Sequence, residues 1–92
     1  MAPSAQFSFT ASDGARIEGV VQGEGVAVVC VHGWGASRLS FTELRLPGCA
    51  VVTYDQRGHG ASGRGGELRV RRLAQDLSEL MRHLDLRDVT LV

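Results

Sequence analysis

A chain of 92 residues holds at most one small domain, so residues 1–92 are read as part of a single unit. Apolar side chains make up 43%, an ordinary globular share that argues against disorder, and ten basic residues balance ten acidic ones, which removes any general electrostatic pull toward nucleic acid or an anionic membrane. Two cysteines cannot frame a disulfide-rich fold, and no leader-like or transmembrane-length apolar stretch is present, so a soluble, reducing, cytoplasmic setting without a membrane partner is expected.

After a frayed start, residues 6–10 alternate with Phe7 and Phe9 on one side, Asp13-Gly14 supplies a turn, and 15–22 alternates again through Ile17 and Val21, provided Gly19 takes the intervening inward position. That pattern predicts an antiparallel hairpin. Gly23 and Gly25 break it, and VAVVCV at 26–31 follows without alternation, as a strand covered on both faces should. A Gly-rich loop at 32–41 leads toward a short helix at 40–46, closed by Pro47-Gly48. AVVTY at 50–54 is a second buried strand, and 55–67 is a long Gly-rich connection. From residue 68 to 84 the period is helical, with Val70, Leu73, Leu77, Leu80, Met81 and Leu84 on the inner face and Arg71, Arg72, Asp76, Glu79 and Arg82 largely elsewhere. Residues 89–92 form the next strand. Strands separated by helical crossovers predict a mostly parallel three-layer α/β sandwich opened by a hairpin.

This architecture is incomplete. The last strand would have an unpaired side, and little covers the second face of the sheet beyond 40–46. Ordering ~90 residues costs on the order of 100 kcal/mol, which a half-covered sheet matches poorly, so a continuation or another chain is expected.

Several site classes fail on context. Cys30 lies within a strand and Cys49 precedes one, so both read as small buried hydrophobes, and no further ligand set completes a zinc site. Gly23 and Gly25 precede a strand rather than join one to a helix, which removes a dinucleotide fingerprint, and GHGASGRGG at 58–66 lacks the Lys-Ser/Thr pair of a phosphate loop. No cofactor or metal is expected. Arg69, Arg71 and Arg72 form a basic cluster without interleaved aromatics, so no nucleic acid is expected either. His83 reads as solvated.

HGWG at 32–35 and DQRGHGAS at 55–62, each after an apolar strand, resemble the α/β-hydrolase family, particularly its esterase, perhydrolase and carbon–carbon-bond hydrolase branches. Members carry an H-G-aromatic-G segment after the third strand and a D-x-R-G-x-G-x-S segment after the fourth. The resemblance covers nearly the whole chain and implies the first half of the fold, ending just before the G-x-S-x-G nucleophile elbow. None of the catalytic triad falls within it.

By that resemblance, the backbone N–H of Trp34 would be one oxyanion-hole donor, with Gly33 and Gly35 letting the loop turn it inward. The plainer alternative is a loop tryptophan packing over the sheet. His32 would be structural beneath this loop and His59 structural within the following turn. Asp55 and Arg57 would hold that turn through side-chain-to-backbone bonds and a local ion pair, Gly58 and Gly60 would shape it, and Ser62 would cap it beyond Gly60.

The activity implied is serine-type hydrolysis of an ester, thioester, amide or related activated carbonyl in a small-molecule substrate. A second polypeptide or C-terminal continuation would supply nucleophile, acid and histidine, and residues 1–92 alone would be inactive. An aspartate nucleophile would instead give dehalogenase or epoxide hydrolase chemistry, although epoxide hydrolases usually carry proline where Gly35 stands. The competing class is a non-catalytic, hydrolase-like interaction subunit pairing through the open strand at 89–92.

Overall fold

The computed structural model describes residues 4–33, 35–63 and 69–92. Alternating Phe7 and Phe9 build β1, Ser4–Thr10, and Ile17, Gly19 and Val21 build β2, Arg16–Gln22. The two pair antiparallel, Phe9 opposite Ile17 and Phe7 opposite Gly19. The expected Asp13-Gly14 turn closes through Ala11 N–H to the Ala15 carbonyl at 2.7 Å and Gly14 N–H to the Ala11 carbonyl at 2.8 Å.

The two unalternating runs become β3, Val26–Cys30, and β4, Cys49–Asp55, which lie parallel with Val28 beside Val51 and Val29 beside Val52. β4 also pairs antiparallel with β2, while β5, Thr90–Leu91, runs parallel to the other side of β3. The order β1-β2-β4-β3-β5 gives β3 and β4 a strand neighbour on both sides, where their backbone groups find partners. Among the described residues no strand pairs with the outer side of β5.

One face of the sheet is covered by α1, Val70–His83, whose Leu77, Leu80 and Met81 pack with Leu84 on Ile17, Val29, Val52 and Tyr54. Burying each such aliphatic side chain contributes roughly 1.5–3 kcal/mol. The inner face expected for this helix is corrected in two respects. Val70 is 80% exposed, and Arg72 and Asp76 are buried in line with Leu80. The buried stripe follows i, i+4, i+8, and its charged members are ion-paired, so no bare charge enters the interior. His83 is also corrected: it stays exposed but stacks on Phe9, ring centroids 5.2 Å apart.

On the opposite face, among the described residues, Val28, Cys30 and Val51 meet Phe41 and Leu44 with Cys49. The helix expected at 40–46 does not form; a 3₁₀ turn at Arg38–Phe41 gives way to irregular chain. Side chains take the acceptors a helix would need. Thr42 Oγ1 donates to the Leu39 carbonyl at 2.7 Å, and Arg45 Nη1 donates to the carbonyls of Thr42 at 2.7 Å and Leu44 at 2.9 Å. Pro47 then disfavours helical backbone at Leu46. The result is a mixed sheet with one full flanking layer and one thin one, an incomplete α/β sandwich. Cys30 is fully buried, which pushes its thiol up, and Cys49 is half-buried; both are free.

Candidate functional site

The two motif loops leave the carboxyl ends of the neighbouring parallel strands β3 and β4, the end of an open α/β sheet where sites form. Asp55 closes β4 almost fully buried. Its Oδ1 accepts from Arg38 N–H at 2.7 Å, its Oδ2 accepts from Ala61 N–H at 3.0 Å, and the Arg38 guanidinium pairs with Oδ2. Ser62 Oγ donates to the Asp55 carbonyl at 2.5 Å and accepts from Glu18 N–H at 2.9 Å, so it ties the loop to β2 as well as to its own turn. The loop is also bonded within itself: Gly58 N–H to the Gly63 carbonyl and His59 N–H to the Gln56 carbonyl, both 2.9 Å, and Ser62 N–H to the His59 carbonyl at 3.0 Å. Gly60 sits at φ +51°, and a Cβ there would overlap the Asp55 carboxylate, so the turn requires glycine.

Arg57 is 1% exposed. Its Nε and Nη2 fork onto Asp76 at 2.7 and 2.9 Å, and its Nη1 and Nη2 fork onto Asp13 at 2.7 and 2.9 Å. Arg72 extends the cluster from Asp76 Oδ1 to Glu79 Oε2, each 2.9 Å from Nη2, and Glu79 accepts from Ser12 N–H at 2.7 Å. One charged cluster thereby joins the β1–β2 turn, the loop after β4 and α1. The bond from Arg57 holds the Asp13 carboxyl well below the usual carboxylate range, and Asp13 with Asp76 drives the Arg57 guanidinium further above its ordinary value. Burial would raise Glu79, but bonds from Ser12 and the charge of Arg72 outweigh it and leave the carboxyl lowered. Burial, with the Asp76 charge adding to it, pushes the Tyr54 hydroxyl up to about 12.

The local ion pair expected around Asp55 and Arg57 is therefore redistributed: Asp55 pairs with Arg38, and Arg57 with Asp13 and Asp76. Asp13, Arg38, Gln56 and Asp76 were not legible as partners. The available signal was an i, i+4 Arg72–Asp76 pair on the helix and an arginine two residues past a buried strand, which needs an acid if it is buried with it.

The 32–36 loop rests on this frame. His32, 3% exposed, accepts from Gln56 N–H at its Nε2, 2.9 Å, and donates from Nδ1 to the Gly33 carbonyl, 2.7 Å. A backbone N–H only donates and a carbonyl only accepts, so these partners select the Nδ1–H tautomer. The Gln56 side-chain Nε2 donates to the His32 carbonyl at 2.8 Å. From the other side, His59 Nε2 accepts from Gly35 N–H at 3.0 Å while its Nδ1 donates to the Arg57 carbonyl at 3.0 Å. The two imidazoles lie 5.1 Å apart, centroid to centroid. Ala36 N–H to the Gly33 carbonyl, 3.1 Å, closes the turn, and Gly35 takes φ +81°. Trp34 lies outside the described residues, as do 64–68. Among the described residues no group of three His, Cys, Asp or Glu is placed to hold a metal ion, and no helix is long and apolar enough to cross a membrane.

A family profile described as alpha/beta hydrolase fold matches residues 26–92. The chain is similar to the non-heme chloroperoxidase CPO-A1 of Kitasatospora aureofaciens, 36% identical over 90 residues, covering 90% of this chain and 32% of that protein. Among solved structures, the esterase EaEST from Exiguobacterium antarcticum matches with a TM-score of 0.84 at 31% identity, covering 91% of this chain and 33% of that one. The haloalkane dehalogenase DatA from Agrobacterium tumefaciens C58 also reaches 0.84, at 27% identity, covering 96% and 31%. The chain spans about a third of the length of the curated relatives it matches.

Proposed function

Because this chain belongs to the α/β hydrolase fold family, we propose that it forms the first third of a serine-type hydrolase acting on an ester, thioester, amide or related activated carbonyl. In this reading the Trp34 backbone N–H is one oxyanion donor, and His32, Gly33, Gly35 and the 55–62 loop support it. The remaining polypeptide, continuous or separate, brings the serine nucleophile, the acid and the general-base histidine. Attack of the serine oxygen moves the carbonyl electron pair onto oxygen, and a fixed N–H aimed at that charge stabilises the transition state more than the ground state.

The observation that carries the proposal is the interlocking of the two motif loops at the carboxyl end of β3 and β4, through His32–Gln56 and His59–Gly35. A chloroperoxidase, an esterase and a dehalogenase are all similar to this chain, so this reading puts the choice of nucleophile and substrate in the other two thirds. Fluorophosphonate labelling of the complete polypeptide, mapped by peptide mass, tests it. The expected adduct is on a serine outside residues 1–92, and Trp34→Pro, which removes the N–H itself, should lower kcat by about 100-fold or more where Trp34→Ala does not. An adduct on a serine within 1–92, or full activity in W34P, rejects the assignment. The outer side of β5 and the thinly covered sheet face, as they stand among the described residues, favour one second reading, a non-catalytic interaction subunit. A complete polypeptide that takes no label and hydrolyses no activated ester would support it.

A further inference from the structure

We propose that His32 and His59 act as a two-imidazole clamp on Gly33 and Gly35, the residues on either side of position 34, and that His59 is thereby a positioning residue for the reaction. The inference rests on the proposed oxyanion role of the 32–35 loop and assigns what sets its direction. On one side of position 34 the carbonyl of Gly33 receives two donors, His32 Nδ1 at 2.7 Å and Ala36 N–H at 3.1 Å, which fix its direction. On the other side the Gly35 N–H donates to His59 Nε2 at 3.0 Å. Gly35 has no Cβ, and one added there would meet nothing within 4 Å, so side-chain packing does not set the direction of this N–H and the imidazole bond does.

His59 can hold Gly35 because its own position is fixed. Its Nδ1 donates to the Arg57 carbonyl at 3.0 Å, and the Arg57 side chain is locked by its two carboxylate forks. Accepting at Nε2 while donating at Nδ1 demands the same tautomer that His32 adopts. A rigid path therefore runs from α1 and the β1–β2 turn, through Arg57 and His59, to the amide beside the proposed donor.

The test compares wild type, His59→Phe and His59→Gln in the complete polypeptide. Phe keeps an aromatic ring without an acceptor; Gln restores an acceptor for the Gly35 N–H. With p-nitrophenyl acetate, H59F should lose about 30- to 100-fold in kcat with KM changed less than about 2-fold, as displacement of a transition-state donor requires, and H59Q should recover most of it. Unchanged kcat in H59F, or equal losses in both variants with KM rising, overturns the clamp. If wild type hydrolyses no activated carbonyl, the functional reading fails by itself, and amide exchange then decides the clamp. A Gly35 N–H that is protected in wild type and H59Q but exchanges about 10-fold faster or more in H59F supports it. A Gly35 N–H unprotected in wild type overturns it.

Discussion

The loops after β3 and β4 sit side by side, yet they are built on opposite principles. Residues 56–63 close on themselves through three backbone bonds, are sewn to β2 by Ser62 and Gly63, and are anchored in the interior by Arg57. Residues 32–36 make one such turn bond and one side-chain bond, His32 Nδ1 to the Gly33 carbonyl, and their other bonds described above run to the 56–63 loop, through His32 to Gln56 and Gly35 to His59. The second motif is the scaffold and the first is the element it presents. Two glycine-rich stretches of similar composition thus divide the work: one is over-determined so that the other can offer backbone to a ligand.

The strongest way to break this division is to cut the anchor. Asp76→Ala removes one of the two carboxylates gripped by Arg57 and also the i, i+4 partner of Arg72, leaving two buried guanidinium groups short of counter-charge. The expected loss is about 3–5 kcal/mol in urea unfolding of the complete polypeptide. Exchange should rise in both loops, because the presenting loop inherits the disorder of its support. A variant with unaltered exchange at Gly35 would separate the two loops and reject the hierarchy.

A smaller and sharper contrast uses one methyl group in each loop. Gly60→Ala places a Cβ against the Asp55 carboxylate at a residue already at φ +51°, and should destabilise by about 1–3 kcal/mol. Gly33→Ala meets open space at ordinary φ, and its stability should stay within about 0.5 kcal/mol. Equal effects at the two positions, measured by the same unfolding titration, would mean that the loops are not built differently.

Much of the frame was legible before any coordinates. The hairpin, the two apolar central strands and the long helix follow from local pattern, and the two motifs were visible through their family resemblance. What failed has one cause. Periodicity counts apolar positions, and the buried stripe of α1 begins with Arg72 and Asp76, so the pattern selected Val70 instead. Asp76 is buried because of Arg57, 19 positions away, and Arg57 reaches Asp13 across 44 positions; separations like these leave no mark on local spacing. The missing helix at 40–46 is the reverse case, a plausible apolar pattern overruled by Thr42 and Arg45, which donate to its backbone acceptors, and by Pro47, which disfavours helical backbone before it. For the candidate site, the motif residues were visible but their wiring was not: Gln56 carries no sequence signal, and the preference of His59 for Gly35 is a matter of tautomer and distance.

The smallest effect is expected where the anchor reaches the surface. The Asp13 side chain is 29% exposed, and its carboxyl, bound by Arg57, lies below its unperturbed 3.8. A group lowered in the folded state stabilises fully above its unfolded value and loses that contribution as pH falls through the folded one. Glu79, lowered from 4.5, acts with the same sign. Asp13→Asn should therefore be less stable than the parent at neutral pH, and the gap should narrow as pH drops below about 4, where the unfolded parent gains a proton that its folded form resists. Denaturant titrations at a series of pH values read this directly. A gap that stays constant down to acid would mean that Asp13 contributes through turn geometry, by way of its 3.3 Å bond from Ala15 N–H, and that the anchor of the scaffold loop ends at Asp76.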